Sequence, residues 1–279
     1  MPSEQLRAIM SLLDDPDPEI QAHIQEALIE AGKEAVPLLE QYWWETQDPA
    51  LRQRIEELLE AIQLEWVGKN LYEWRLKPEQ PLFPALMYVA QLRYPSLEVS
   101  RYVAAYRRLV HTTWLQLPQQ SEPIEKILTI NQHLFLHERF QAEKVQSQAS
   151  RYFFLHHVLE TRRGNSFSLS TLYYLVTSEL GLSVSLIQIN TRYLVRYFDG
   201  NLHFYIDPYQ HGFLLLPSQL KALLGQMGLS ENLAHYTPLS PPYLVLRLIR
   251  HLEQAYEREG DIERRNLYAA LREKIDIKF

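Results

Sequence analysis

The sequence contains no cysteine among its 279 residues. Without a thiol, the chain can form neither a disulfide bond nor a thiolate metal site, and it cannot use a cysteine nucleophile. Glycine is scarce as well, with nine residues in the whole chain. This count lies well below average glycine usage and favours a largely helical fold.

Long apolar runs are also missing. No stretch approaches the roughly 20 residues needed to span a bilayer, and the N-terminus lacks a signal-peptide pattern, so we expect a cytoplasmic protein. A net charge of −6 and a pI near 5.9 argue against nucleic acid as the main partner, because its backbone is also negative. The length favours about two domains.

What the first 66 residues do contain is an internal repeat. Asp17-Pro18 recurs 31 residues later as Asp48-Pro49. In each pair the aspartate suits a helix N-cap, and the proline suits the first helical position, where a missing N–H does no harm. Apolar residues follow on one helical face in both copies: Ile20, Ile24, Ala27 and Leu28 in the first, and Leu51, Ile55, Leu58 and Leu59 in the second.

Further helices are predicted around residues 5–13 and 35–44, alternating with the repeated ones. Paired helices of this length resemble HEAT-type repeats. Because two units are few for a free-standing solenoid, we expect residues 1–66 to dock on the next domain or to present a face to a partner. A helical cap without any binding role is the alternative.

Residues 66–81 are predicted to form a connector, because aromatic residues are interspersed there with charges and prolines. A second organisation follows this connector. Helices are predicted around residues 99–113 and 124–140, and Pro118 and Pro123 separate them.

The stretch that carries most of the candidate chemistry begins at Arg162. Apolar residues at helical spacing predict a helix over residues 167–180, and Gly181 suits its C-terminal end. Ser166, at the start of this helix, is predicted to be its N-cap, since capping is the usual role of such a serine. The alternative role is that of a nucleophile, which for a serine requires a general base within hydrogen-bond distance.

Two strands are predicted next, at residues 192–198 and 201–206. Asp199-Gly200 between them suits a two-residue type I′ hairpin turn. With that turn the numbers of facing residues sum to 399, so Arg192 faces Asp207 across the hairpin. One face of the hairpin is apolar throughout and belongs in a core; it carries Tyr193, Val195, Tyr197, Leu202, Phe204 and Ile206.

Several short blocks of sequence, taken in order, carry a resemblance to a known family. The most distinctive block is residues 158–165, which read Val-Leu-Glu-Thr-Arg-Arg-Gly-Asn, followed by Ser168-Leu169. The other blocks are residues 85–90 with Tyr94-Pro95, Tyr102-Val103, Leu134-Phe135 with Phe140, Leu172-Tyr173, Gly181-Leu182, residues 193–197, residues 206–209, Leu246-Arg247, and Tyr256 with Gly260-Asp261. Together they are similar to the SirB-type transglutaminase-like family over roughly residues 80–279, and the N-terminal repeats lie outside the resemblance.

The resemblance implies an α+β, predominantly helical fold. A transglutaminase-like, papain-like core with a small antiparallel sheet would occupy residues 80–242. A C-terminal helical hairpin, similar to the start of tetratricopeptide-like repeats, would occupy residues 243–279.

Proteins of this kind assemble a Cys-His-Asp triad. By position, the resemblance places Ser166 where the nucleophile stands, Arg192 where the base stands and Asp207 where the acid stands. A guanidinium, with a pKa above about 12, cannot accept a proton at neutral pH. We therefore expect an ion pair between Arg192 and Asp207 in place of a catalytic dyad.

Histidines offer weaker candidates. His133 and His137 lie one helical turn apart and could both reach one metal ion. No third ligand is near in the sequence, so we expect a pair on a helix surface and no metal site. His156 and His157 are adjacent and point in different directions on a helix, which argues against joint ligation.

Arginines offer a possible ligand site. Arg162, Arg163 and Arg192 could form an anion pocket with the helix start at Ser166, and the alternative is that each arginine pairs with a local carboxylate. The full set of candidate binding residues is Arg162, Arg163, Asn165, Ser166, Arg192 and Asp207.

These observations predict a non-catalytic transglutaminase-like protein, a pseudoenzyme that acts as a protein-interaction or regulatory module with a protein partner and no cofactor. Two alternatives stay open. One is an amide or ester hydrolase or acyl transferase that uses Ser166 with Asp207. In that case His203 or His211 would supply the proton transfer. The other is a sensor of an anionic ligand that uses the three arginines.

Overall fold

The computed structural model describes residues 3–10, 12–15, 17–118, 120–226, 228 and 237–276. Most of these residues are helical, in keeping with the scarcity of glycine. The helices are α1 (Ser3–Met10), α2 (Pro18–Ala31), α3 (Val36–Glu45), α4 (Pro49–Arg75), α5 (Leu82–Arg93), α6 (Val99–Gln116), α7 (Pro123–Asn131), α8 (Leu155–Thr161), α9 (Ser166–Glu179), α10 (Pro217–Gln226), α11 (Pro241–Glu259) and α12 (Ile262–Asp276). Within the described ranges, none of them is long and apolar enough to cross a membrane.

The strands lie in the second half of the chain. They are β1 (Gln141–Ala142), β2 (Arg163–Gly164), β3 (Val184–Ile189), β4 (Arg192–Phe198), β5 (His203–Asp207) and β6 (Phe213–Leu215). The first two form a short parallel pair, and the other four form an antiparallel sheet in the order β3-β4-β5-β6. Helices and a small sheet in one chain confirm the predicted α+β class.

Both Asp-Pro pairs open helices, as predicted. A side-chain oxygen of Asp17 accepts the N–H of Glu19 at 2.9 Å, and one of Asp48 accepts the N–H of Ala50 at 3.0 Å. The helices from α1 to the first half of α4 share a buried cluster of their own, formed by Leu6, Met10, Leu13, Ile24, Leu28, Ala35, Leu39, Ile55, Leu58 and Ile62. The N-terminal repeat therefore has a separate core.

Helix α4 runs through most of residues 66–81, so the connector predicted there is wrong. The reason is that Val67, Leu71 and Trp74 recur at helical spacing and are buried in the main core. The indole N–H of Trp74 also donates to the carbonyl of Pro81 at 2.8 Å, across the turn into α5. One continuous helix thus joins the repeat to the domain that follows.

The main core is formed by the second half of α4, helices α5 to α9, the α11–α12 hairpin and one face of the four-stranded sheet. The predicted apolar face of the hairpin packs here, since Tyr193, Val195, Tyr197, Phe204 and Ile206 are buried and Leu202 is half-buried against them. Helix α10 contributes to a smaller cluster that includes residues of the other face: Ile187, Ile189, Leu194, Tyr205, Leu220 and Leu224. The sheet is therefore covered on both faces.

The hairpin between β4 and β5 has a register that differs from the predicted one. Val195 pairs with Ile206, so the numbers of facing residues sum to 401, two more than predicted. The turn is the reason, because the Asp199 side chain accepts the N–H groups of Asn201 and Leu202 at 2.9 and 2.8 Å and holds a four-residue loop. A shift of two residues leaves every side chain on its predicted face.

The helix predicted for residues 124–140 ends earlier than expected. Helix α7 stops at Asn131, and the backbone continues as a π-helical segment, Gln132–His137. There the N–H of Glu138 donates to the carbonyl of His133 at 2.8 Å, five residues back. Such segments are frequent near functional sites.

Two packed helices, α11 and α12, form the predicted C-terminal hairpin. Gly260 between them has a φ of +75°, the left-handed conformation that glycine adopts easily. Tyr256 stacks on Tyr268 with ring centroids 5.5 Å apart, and the Tyr268 hydroxyl donates to the carbonyl of Val89 in α5 at 3.1 Å. The hairpin is thus part of the main core.

Candidate functional site

Helix α9 begins with a reciprocal cap. The side-chain oxygen of Asn165 accepts the N–H of Ser168 at 3.0 Å, and the hydroxyl oxygen of Ser168 accepts the N–H of Asn165 at 3.0 Å. Ser166 is the first helical residue, so the prediction that it caps the helix is wrong. Asn165 takes the role because its amide group also donates to the carbonyl of Ser147 at 3.2 Å, which fixes the side chain from both ends.

Gly164 precedes this cap and packs closely on it. A Cβ at this position would lie 2.6 Å from the Ser168 hydroxyl oxygen and 3.1 Å from both Leu169 and Val158. That space is too small for any side chain. The glycine of this block therefore has a packing role in placing the start of α9.

Two serines of α9 contact the inner strand β4 at Tyr193. Ser166 Oγ accepts the N–H of Tyr193 at 2.9 Å, and Ser170 Oγ donates to the carbonyl of Tyr193 at 2.7 Å. The serines are four residues apart and so lie on one face of the helix. The hydroxyl of Ser166 is therefore part of the joint between helix and sheet.

Arg192 and Asp207 lie beside each other at the ends of β4 and β5. Arg192 Nη1 is 3.8 Å from Asp207 Oδ2. The contact does not arise from the direct cross-strand pairing that the sequence predicted, because the ladder ends at Val195 and Ile206. Arg192 instead reaches Asp207 from beyond the last pair.

The Asp207 carboxylate has a second task. Its Oδ1 accepts the N–H groups of Tyr209 at 3.0 Å and Gln210 at 3.3 Å, and so caps the short 3₁₀ turn that follows β5. Burial raises the pKa of Asp207, and the nearby Arg192 guanidinium and the two N–H donors oppose that rise. Burial outweighs them because the side chain is only 4% exposed and the ion pair is long.

The turn after Asp207 is tied back to α9 through Asn131. The Tyr173 hydroxyl in α9 donates to the side-chain oxygen of Asn131 at 2.7 Å, and the Asn131 amide donates to the carbonyl of Gly212 at 2.8 Å. Gly212 has a φ of +78°, and a Cβ there would collide with the Asn131 side chain. The end of α7 thus helps to place the polar residues around Asp207.

Arg162 and Arg163 each have a carboxylate partner. Arg162 Nη2 donates to Glu138 Oε2 at 2.8 Å, and Arg163 Nη1 donates to Glu143 Oε2 at 3.1 Å. With Arg192 on Asp207, every arginine of the predicted anion pocket is paired with a different acid. The structure thus contains local ion pairs, the alternative to an anion pocket formed by the three arginines.

The two histidines considered for proton transfer lie elsewhere. His203 begins β5 opposite Phe198; its Nε2 is buried without a partner, and burial lowers its pKa. His211 is exposed and has a left-handed φ of +54°. No hydrogen bond among the described residues joins either ring to Ser166 or Asp207.

One polar contact near α9 was missed by the sequence argument. His251 of α11 has its Nε2 2.7 Å from the Tyr193 hydroxyl, and its ring packs against Phe153 and Phe167. Burial, aided by Arg247 and Arg258, lowers the pKa of His251 to about 4. The ring is therefore neutral at pH 7 and links α11 to the strand that Ser166 holds. No motif or local spacing could have indicated it, because the partners are 58 residues apart.

The two pairs of histidines considered as metal ligands contact aromatic rings and a threonine. His133 and His137 have ring centroids 5.9 Å apart, and His133 Nε2 lies 3.3 Å from the Thr112 hydroxyl. His156 packs among three aromatic rings while His157 faces another, so the adjacent pair points in different directions, as predicted. Over the part of the chain that the structure describes, no group of three or more histidine, aspartate or glutamate side chains could hold a metal ion.

The arrangement places a polar residue at the start of a buried helix and two more on neighbouring strands of a small sheet, as the resemblance to transglutaminase-like proteins implied. Residues 100–250 match the Transglutaminase-like superfamily. The match runs from α6 into α11 and includes α9 and the whole sheet, so the chain belongs to this superfamily. No curated protein and no solved structure matches the chain.

Proposed function

We propose that this protein is a non-catalytic member of its superfamily and acts as a protein-interaction or regulatory module. The observation that carries the proposal is the ion pair of Arg192 with Asp207, at the position where the triad scheme needs a base. A guanidinium keeps its proton at neutral pH and cannot take one from a nucleophile. The chain also has no cysteine to serve as a thiolate.

Ser166 supports the same proposal. Its hydroxyl oxygen accepts the main-chain N–H of Tyr193, and no described histidine nitrogen lies at hydrogen-bond distance from it. A serine becomes a nucleophile only with a base at that distance. A hydroxyl that joins a helix to a strand needs none.

Within the superfamily we propose the SirB-type subgroup, with a papain-like arrangement of α9 and the sheet. We further propose that residues 1–66 form HEAT-like repeats and that residues 243–279 resemble the start of a tetratricopeptide array. The Asp-capped helices with their own core and the α11–α12 hairpin support this assignment. Helical repeats of both kinds present extended surfaces to protein partners.

The test has two arms, both on the full chain. A panel of fluorogenic amides and esters should show no turnover above buffer, and affinity capture from the native cell should return a protein partner. Turnover that disappears in Ser166→Ala would overturn the proposal. Ser170→Ala is the matched control, because it breaks the other serine contact with Tyr193 and leaves Ser166 in place.

One observation favours a second candidate, an amide or ester hydrolase or acyl transferase. Burial raises the pKa of Asp207, and perturbed pKa values cluster at functional sites. Asp207 would then act with Ser166, and His203 or His211 would have to move to reach them. The same panel decides between the two candidates, since only this one predicts turnover.

A further inference from the structure

Charge is divided unevenly along this chain. Residues 1–66 contain 15 aspartates and glutamates against 4 lysines and arginines, whereas residues 67–279 contain 19 against 24. The N-terminal repeat is therefore strongly acidic and the rest of the chain is mildly basic. A surface of one sign attracts partners of the other sign.

Some of this acidity is neutralised within the chain. The Lys274 ammonium group of α12 pairs with Glu65 of α4. The Lys33 ammonium group, by contrast, lies 3.2 Å from the centre of the Trp66 ring and pairs there with no described acid. These contacts occur where the repeat meets the main core. Helix α3 lies farther from that joint, and its acids Glu40 and Glu45 are exposed.

Helix α3 presents an exposed face of this kind. Pro37, Glu40, Gln41, Trp44 and Glu45 are all exposed and recur at helical spacing. Among the described cations, none forms an ion pair with Glu40 or Glu45. The Gln41 amide donates to Glu45 Oε1 at 2.7 Å and holds that carboxylate at the surface.

Trp44 lies in the last turn of α3 on this face, and the residue is 74% exposed. Its neighbour Trp43 is held by the chain itself, through a bond to Glu56 at 2.8 Å and the Arg52 guanidinium 5.2 Å from its ring. Trp44 touches Trp43 edge-on, with centroids 5.0 Å apart. Trp44 is thus a largely exposed indole beside a tryptophan that the chain holds in place, and exposed aromatic residues of this kind anchor protein interfaces.

We propose that the exposed face of α3, with Trp44 as its aromatic anchor, docks a lysine- or arginine-rich segment of a partner protein. The face of the Trp44 ring binds one cationic side chain of that segment. Glu40 and Glu45 form ion pairs with other basic residues of the same segment. The same kind of cation–π contact occurs within this chain, where the Arg52 guanidinium lies over the Trp43 ring. The inference rests on the proposed interaction function and names its surface and the chemistry of the partner.

The experiment measures fluorescence anisotropy with the full chain and a labelled peptide of alternating arginine and alanine. Binding should weaken as salt increases, and a peptide with glutamate in place of arginine should not bind. Trp44→Ala should weaken binding roughly tenfold. Glu40→Lys with Glu45→Lys should weaken it at least as much.

Matched variants separate this face from general charge attraction. Trp114→Ala removes another exposed tryptophan, and Glu257→Lys with Glu273→Lys makes the same charge change on the α11–α12 hairpin. Both should bind like the wild type. An equal loss in the two charge-reversed proteins would overturn the proposal, as would an arginine peptide that does not bind.

Two further outcomes would also overturn it. Self-association of the wild type that disappears in Trp44→Ala would make a second copy of the chain the occupant of this face. A captured cellular partner that still binds Trp44→Ala would move the interface elsewhere and leave the proposed interaction function intact. Failure of that function would instead appear as turnover that Ser166→Ala abolishes, which this experiment does not measure.

Discussion

Glu143 and Asp207 are two buried carboxylates built from the same parts. In each, one oxygen accepts two main-chain N–H groups and the other faces an arginine. Their pKa values nevertheless shift in opposite directions, downward for Glu143 and upward for Asp207. A list of donors therefore does not determine how a buried acid ionises.

Two differences in geometry explain the contrast. Arg163 lies 3.1 Å from Glu143, whereas Arg192 lies 3.8 Å from Asp207. The Asp207 side chain is also more deeply buried, at 4% exposure against 10%. For Glu143 the two N–H donors lower the pKa most, with Arg163 adding to them; for Asp207 the loss of water outweighs every donor. The surroundings of Glu143 therefore favour its charged form, and those of Asp207 disfavour it.

The largest effect is expected from Glu143→Ala. The change leaves the N–H groups of Val145 and Gln146 and the Arg163 guanidinium without their acceptor. The control is Glu138→Ala, which removes the partner of Arg162 and no main-chain contact. Thermal unfolding at pH 7 should show a clearly larger drop in Tm for Glu143→Ala. Equal drops would mean that the main-chain donors contribute nothing.

At Asp207, loss of the hydrogen-bond acceptor should lower the free energy of unfolding more than loss of the charge does. Asp207→Ala leaves two N–H groups unsatisfied and should lower the free energy of unfolding by roughly 1–3 kcal/mol. Asp207→Asn keeps an acceptor, removes a poorly solvated charge and should change it by less than about 1 kcal/mol. Urea unfolding at pH 7 measures both. If Asp207→Asn were the more damaging variant, the ion pair would be a major source of stability.

The two acids should give opposite pH dependences. Folding raises the pKa of Asp207 above its ordinary 3.8, so the folded state holds that proton more tightly and loses stability as the pH rises through the folded pKa. Folding lowers the pKa of Glu143 below its ordinary 4.5, so its stabilisation is present above that value and is lost as the pH falls.

Urea unfolding over about pH 3 to 7 tests these signs. As the pH rises, Asp207→Asn should gain stability relative to the wild type, and Glu143→Gln should lose it. Parallel curves for the two variants would contradict the contrast between the sites.

The smallest effects are expected from the arginines. Arg163→Met and Arg192→Met should each change the free energy of unfolding by less than about 1 kcal/mol, because both guanidinium groups are about half exposed, at 51% and 43%. Arg192→Met should still raise the pKa of Asp207 further. A carboxyl NMR titration measures this, and a fall in that pKa would show that Arg192 does not stabilise the charge.

Local chemistry allowed much of the fold to be predicted from the sequence. Asp17 and Asp48 cap their helices because an aspartate needs only the next two residues to do so. The apolar face of the β4–β5 hairpin was also predictable from local sequence, because successive side chains of a strand point to opposite faces of the sheet. The register was not, because the Asp199 side chain lengthens the turn by contacts that a dipeptide preference does not include.

The candidate site was only partly predictable. The predicted hairpin register placed Asp207 beside Arg192, and the two are in contact although the register is shifted by two residues. The hydrogen bond between Ser166 and Tyr193 was not predictable, because it joins elements 27 residues apart. Asn165 and Ser166 both suit a cap, and Asn165 takes the role through its contacts with Ser168 and with Ser147, which lies 18 residues away. The contact between His251 and Tyr193 was not predictable either, because it depends on how α11 packs and the two residues are 58 positions apart in the sequence.

We propose that Ser166, whose hydroxyl joins α9 to β4, is not an activated nucleophile. The direct measurement is mass spectrometry of the full chain after exposure to a fluorophosphonate, a reagent that modifies activated serines. We predict no adduct at Ser166. A stoichiometric adduct there, absent in Ser166→Ala and retained in Ser170→Ala, would contradict the claim and make this protein an enzyme.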